Sequence, residues 1–206
     1  MSRPRFLALG DSYTIGESVG PPERWPNQLA RLLRERGVAD FAEPEIIATT
    51  GWTTDELAEG IPAAKPEGKY GLVALLIGVN NQYRGRGLDE YREQFRGLLN
   101  TAIEFAGGAG HVLVLSIPDW GVTPFAEGRD RTRIAREIDA FNAVNRDESA
   151  AAGAAYLDVT AISRRAALEP RLLAEDGLHP SGEMYREWAE AALPVVARMI
   201  GRAASG

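Results

Sequence analysis

The sequence predicts an α/β protein: a three-layer α/β/α sandwich around a five-stranded parallel sheet. Three observations predict it. Five short apolar segments lack the strict alternation of a half-buried strand, as expected of parallel strands covered on both faces. Stretches with apolar residues at helical spacing fall between them. The length of 206 residues, with 45% hydrophobic and 25% charged residues, fits one domain, 1–206, that buries its core without disulfides or structural metal.

The first strand is expected over Arg5–Leu9, running into Gly10-Asp11. Trp25–Arg36 reads as an amphipathic helix closed by Gly37. Pro44–Ala48 is the second strand. Thr53–Glu59 opens with Thr53-x-x-Glu56, the spacing of a capping box. Gly71–Ile77 is the third strand. Leu88–Ala106 carries Leu88, Tyr91, Phe95, Leu98, Ala102 and Phe105 on one helical stripe. His111–Ser116 is the fourth strand, followed by a loop over Pro118–Gly128. Asp130–Ala152 reads as a helix with Ile134, Ile138, Phe141 and Val144 inward. Ala155–Val159 is the fifth strand, and Ser181–Ile200 a final helix with Ser181 as its N-cap. Trp25 and Trp188 read as structural. Ala203–Gly206 reads as a frayed tail.

Composition removes several function classes. There is no cysteine, so thiol nucleophiles, thiolate zinc sites and iron–sulfur clusters are excluded. The formal net charge is -6 and no basic block occurs, which disfavours a nucleic-acid partner. The longest apolar run, Leu72–Ile77, is far too short to span a bilayer. Arg3 and Arg5 precede only Phe6-Leu7-Ala8-Leu9, too little for a signal-peptide core. These features lead us to expect a cytoplasmic protein without integral membrane association. Nothing in the sequence sets an oligomeric state.

In a parallel sheet of this kind, ligands sit beyond the carboxyl ends of the strands, so the chemistry is sought there. Ser12 directly follows the first strand and is the natural nucleophile, provided a base takes its proton. Of two histidines in the chain, His111 opens the fourth strand and belongs to the opposite edge. His179 lies in a loop three residues after Asp176, a spacing at which a carboxylate can fix the imidazole tautomer. An acyl oxygen that becomes an anion needs donors. The backbone N–H groups of Ser12 and Gly51 and the side-chain amide of Asn80 fall at this edge. Asp11, Trp52, Asn81, Tyr83 and Trp120 are candidates for a substrate pocket. Arg84 and Arg86 read as a solvated loop rather than an anion receptor. Arg129, Arg131, Arg133 and Arg136 read as a charged helix face.

Gly10-Asp11-Ser12-Tyr13-Thr14, Gly51, Gly78-x-Asn80 and Asp176-x-x-His179 together resemble the four sequence blocks of the SGNH/GDSL hydrolase (lipase/esterase) superfamily, in that family's order and across nearly the whole chain. The resemblance implies a flavodoxin-like SGNH-hydrolase fold and a serine hydrolase of esters or thioesters that needs no metal and no cofactor. By this resemblance Ser12 is the nucleophile, Gly51 and Asn80 join Ser12 in the oxyanion hole, His179 is the base and Asp176 orients it. One departure stands out: the family commonly has Asp after the third-block Asn, and this chain has Asn81, which puts local loop support in question.

Gly16-Glu17-Ser18-Val19-Gly20 also matches the G-x-S-x-G pattern of a different hydrolase elbow. That elbow needs a strand just before the serine and a helix just after it. Ser18 lies beyond the first strand and before Pro21-Pro22, so the match reads as chance in a flexible loop. The expected function is therefore a serine esterase for small acyl groups, carbohydrate O-acetyl esters among them, acting through an acyl-enzyme. A lysophospholipase- or thioesterase-type hydrolase of longer chains and an O-acyltransferase are the catalytic alternatives. A flavodoxin-like binding module without catalysis is disfavoured, because Asp11 would repel a phosphate and no glycine-rich phosphate loop is present.

Overall fold

The computed structural model describes residues 3–203, so the tail beyond Ala203 lies outside the described residues. Five strands form one sheet: β1 Phe6–Gly10, β2 Glu45–Ala48, β3 Leu72–Leu76, β4 Val112–Leu115 and β5 Ala155–Leu157. Their order is β2-β1-β3-β4-β5 and every pairing is parallel. All residues of β1, β3 and β4 are buried. That explains their uninterrupted apolar sequence, because a strand covered on both faces has no solvent side to mark with polar residues.

Eight helices connect and cover the strands among the described residues: α1 Ser12–Ile15, α2 Trp25–Glu35, α3 Thr54–Ala64, α4 Val79–Tyr83, α5 Leu88–Ala106, α6 Arg131–Ala152, α7 Thr160–Arg164 and α8 Gly182–Ala203. Helix α2 packs against α8, while α3, α5 and α6 pack side by side. With right-handed crossovers, these sets lie on opposite faces of the sheet. The core contains Trp25 and Trp188, both fully buried. Thr53 forms the capping box with Glu56 as its spacing predicts, and Ser181 Oγ accepts the Met184 N–H at 3.3 Å.

The long helices lie where their periodicity places them. Helix α3 runs on to Ala64, past the Glu59 end expected from the sequence, with Pro62 inside it. Strand β5 stops at Leu157, because Asp158 and Ser116 begin a separate network that starts α7. The expected loop over 118–128 contains two single 3₁₀ turns, Trp120–Val122 and Pro124–Ala126. His111 sits before β4 with its Nδ1 3.2 Å from the Gly71 carbonyl, at the edge away from the strand carboxyl ends.

Gly10 closes β1 where a larger residue has no room. A Cβ there would lie 2.2 Å from Thr14 Oγ1 and 2.4 Å from the Leu76 carbonyl oxygen. The chain can thus turn from β1 into α1 directly against β3, which brings the next residues to the sheet's carboxyl edge.

Candidate active site

Ser12 is the first residue of α1. Its backbone N–H therefore has no acceptor within the helix. Asp11 caps that helix, its Oδ1 accepting the Tyr13 N–H at 3.0 Å. The Asp11 side chain is fully buried, and its Oδ2 has no hydrogen-bond partner among the described residues. Burial pushes this carboxyl up to about 7, despite the hydrogen bonds that favour its ionised form.

Gly51 follows β2 in a turn and has φ +89°, a conformation for which glycine is suited. Its carbonyl accepts a hydrogen bond from Arg84 at 2.7 Å, and the same guanidinium pairs with Glu56 at 3.1 Å. Arg86 is paired with Asp55 and Glu90. Both arginines are therefore paired with protein groups, which fits the expectation that they do not form an anion receptor.

Asn80 lies on α4 immediately after β3. Its side-chain amide donates to the Trp52 carbonyl at 2.9 Å, which uses one of the two N–H groups and leaves the second for a ligand. The neighbouring Asn81 is fully buried and holds α3: its Oδ1 accepts the Thr54 N–H at 3.1 Å and its Nδ2 donates to Thr54 Oγ1 at 2.7 Å. Thr54 Oγ1 in turn donates to Gln94 Oε1 at 2.5 Å. An ionised carboxylate at position 81 could accept but not donate. The Asn at this departure from the family pattern thus fits the donor direction of its own chain of hydrogen bonds.

The loop after β5 and α7 brings Asp176 and His179 together. Asp176 Oδ2 lies 2.6 Å from His179 Nδ1, while Oδ1 accepts the Leu178 and His179 backbone N–H groups at 2.9 Å each. Ser18 Oγ donates to Oδ2 at 2.7 Å. Partial burial works to raise the Asp176 carboxyl, but the bonds from His179, from the two amides and from Ser18 outweigh it and hold the group well below the usual carboxylate range. The His179 ring packs against Tyr13, with centroids 5.3 Å apart.

A cavity of about 180 Å³ opens between these elements, lined by Ser12, Gly51, Asn80 and His179 together with Tyr13, Thr50, Val79, Tyr83, Trp120, Phe125 and Leu178. Among the described residues, the Ser12 hydroxyl makes no hydrogen bond to His179; the two groups meet across this cavity. Trp120 is fixed by a hydrogen bond from Nε1 to Gln82 Oε1 at 2.8 Å. At the mouth, Tyr83 and Phe125 are 45% and 44% exposed. The Arg129 guanidinium lies 5.1–5.6 Å from the ring centroids of Tyr83, Trp120 and Phe125.

The structure thus gathers six sequence-identified residues at one cavity and places Asp176 behind His179. It corrects three others: Asp11, Trp52 and Asn81 do not line the pocket. Asp11 lies beneath it as a buried cap. The Trp52 indole packs on α3 at Gly60, where an added Cβ would come within 2.2 Å of the ring. Asn81 is consumed by its hydrogen bonds to Thr54. Sequence reading missed Phe125, hidden in a segment read only as loop, and Ser18, discounted with the G-x-S-x-G match.

A model of the GDSL-like Lipase/Acylhydrolase family matches residues 8–187. The chain belongs to that family. As a GDSL-like acylhydrolase it is a hydrolase of ester bonds. Among solved structures, TesA superposes with a TM-score of 0.70 at 21% identity, over 95% of this chain and 99% of that one. Axe2, an acetylxylan esterase from Geobacillus stearothermophilus, gives a TM-score of 0.69 at 22% identity over 96% and 94%. The lipase/acylhydrolase from Enterococcus faecalis gives 0.70 at 21% over 97% and 96%. At these identities the superpositions show the shared fold. No curated protein sequence matches the chain. Among the described residues, no helix of this acylhydrolase is long and apolar enough to cross a membrane, and no group of three or more His, Asp or Glu side chains could hold a metal ion.

Proposed function

We propose that the protein is a serine esterase for small acyl groups, with Ser12 as nucleophile, His179 as base and Asp176 as the group that orients the base. The observation that carries this reading is the 2.6 Å Asp176–His179 contact behind a cavity that His179 shares with Ser12, Gly51 and Asn80. Ser12 Oγ attacks the ester carbonyl carbon while His179 Nε2 takes its proton. The carbonyl π pair moves to oxygen, where the N–H groups of Ser12 and Gly51 and the free amide N–H of Asn80 receive the charge. Collapse of the tetrahedral intermediate expels the alcohol, which takes the proton from His179. Water then attacks the acyl-enzyme by the same route, releases the acid and restores Ser12. Asp176 stays ionised throughout and stabilises the imidazolium.

The size of the cavity supports small acyl groups. About 180 Å³ is on the scale of a cavity that holds one benzene molecule, which leaves no room for a long acyl chain within it. The exposed Tyr83 and Phe125 rings at its mouth suit an alcohol with a flat apolar face, such as a sugar ring carrying an O-acetyl group. Hydrolysis of p-nitrophenyl esters from acetate to decanoate, with Ser12→Ala in parallel, tests the reading. A maximum at the shortest chains and loss of several orders of magnitude in Ser12→Ala are expected. Near-wild-type activity in Ser12→Ala would refute the mechanism, and a maximum at long chains would refute the substrate class.

A further inference from the structure

Ser18 is a non-glycine residue at φ +65°, in the left-handed region that residues with a Cβ rarely enter. The turn that carries it is held at both ends. The Gly16 and Glu17 N–H groups both bond to the carbonyl of Ser12, at 3.0 Å each. The Thr50 hydroxyl donates to the Glu17 carboxylate, and the Gly20 N–H donates to Glu23 Oε2 at 3.2 Å. The turn so fixed points the Ser18 hydroxyl at Asp176 Oδ2, 2.7 Å away, the same oxygen that faces His179.

We infer that Ser18 is a positioning residue. Its hydroxyl ties the turn built on the Ser12 carbonyl to the carboxylate that holds His179, and so sets the placement of base relative to nucleophile. This rests on the catalytic reading given above. The division of labour on Asp176 supports it. Oδ1 is already bonded to two amides of its own loop, which keep that loop in shape. Oδ2 has one lone pair for His179 and one for Ser18. The Ser18 bond is thus the only one of the four that joins the Asp176 loop to the loop of the nucleophile. Ser18 is exposed, so water can replace its hydroxyl as a donor to Oδ2. What water cannot replace is the connection between the two loops.

Ser18 does not line the cavity, so its loss acts on turnover rather than on substrate binding. Ser18→Gly removes the hydroxyl and suits the left-handed backbone, which separates the lost bond from any misfolding. With p-nitrophenyl acetate, Ser18→Gly is expected to lower kcat about 10-fold, since small misplacements of reacting groups cost one to two orders of magnitude. KM should stay within about two-fold and the melting temperature should not fall. In an Asp176→Ala background, read against the Ser12→Ala blank, Ser18→Gly should have no further effect, because both changes cut the same connection. Unchanged kcat in Ser18→Gly would overturn the inference. So would an equal loss with and without Asp176, which would mark Ser18 as acting elsewhere. If Ser12→Ala keeps the activity, the catalytic reading itself falls, a result distinct from either of these.

Discussion

Replacing Asp11 by Asn changes one atom pair and removes one titration. The Asn side chain keeps an oxygen for the Tyr13 N–H, so the cap on α1 survives. It cannot ionise. In the native protein burial pushes the Asp11 carboxyl from 3.8 to about 7, so between those values the folded chain holds a proton that the unfolded chain has released. Stability must therefore fall as pH rises through this interval. The contribution is fully present below about 3.8 and lost above about 7, and the displacement corresponds to about 4 kcal/mol. Relative to wild type, Asp11→Asn should gain about 1.4 kcal/mol of unfolding free energy for each pH unit climbed within the interval. Urea unfolding of both proteins between about pH 4 and about pH 8 measures this directly, because other carboxylates cancel in the difference. Two curves that stay parallel across the interval would refute the reasoning, since they would mean that Asp11 is ionised in the folded protein at acid pH.

The site yields further expectations. Asn80→Ala should lower kcat by about 10²–10³-fold with little change in KM, the loss typical of one oxyanion donor; an equal rise in KM instead would move Asn80 to ground-state binding. Asn81→Asp, which restores the residue common in the family, should destabilise the protein by about 1–2 kcal/mol in urea unfolding, because a carboxylate cannot donate to Thr54 Oγ1. A neutral or stabilising result there would show that the Thr54 hydroxyl can turn without loss.

Much of the fold is legible in the sequence because its signals are local. Buried parallel strands read as apolar runs, and the long helices carry their stripes and caps, as Thr53, Ser181 and Gly37 show. The end of β5 is less legible: Ser116, Asp158 and Thr160 compete with the strand by hydrogen bonding, and that competition depends on two segments far apart in sequence. At the site, the convergence of Ser12, Gly51, Asn80 and His179 on one cavity is legible because ligands sit beyond the carboxyl ends of parallel strands. Trp52 misleads because position after a strand does not fix where a large ring goes; the absence of a side chain at Gly60 does. Asn81 misleads because neighbours on a helix face different ways, so Asn80 turns to the Trp52 carbonyl and Asn81 to α3. Ser18 is illegible for another reason. Its partner is 158 residues away, and no local pattern announces such a bond.

The two walls of the cavity differ in how they are built. On the polar side, Asn80 grips the Trp52 carbonyl and Arg84, a few residues on, grips the Gly51 carbonyl. These two bonds tie the Gly51–Trp52 turn to α4 and the residue that follows it. On the aromatic side, Tyr83 and Phe125 lean into solvent with Arg129 laid across them, and neither ring belongs to the buried core. Exchange of the exposed rim rings therefore costs little folding stability, while a change on the polar side breaks hydrogen bonds that join two loops. If the cavity binds ester as proposed, a scaffold divided in this way can change what it binds at the rim without disturbing the hydrogen-bonded side opposite.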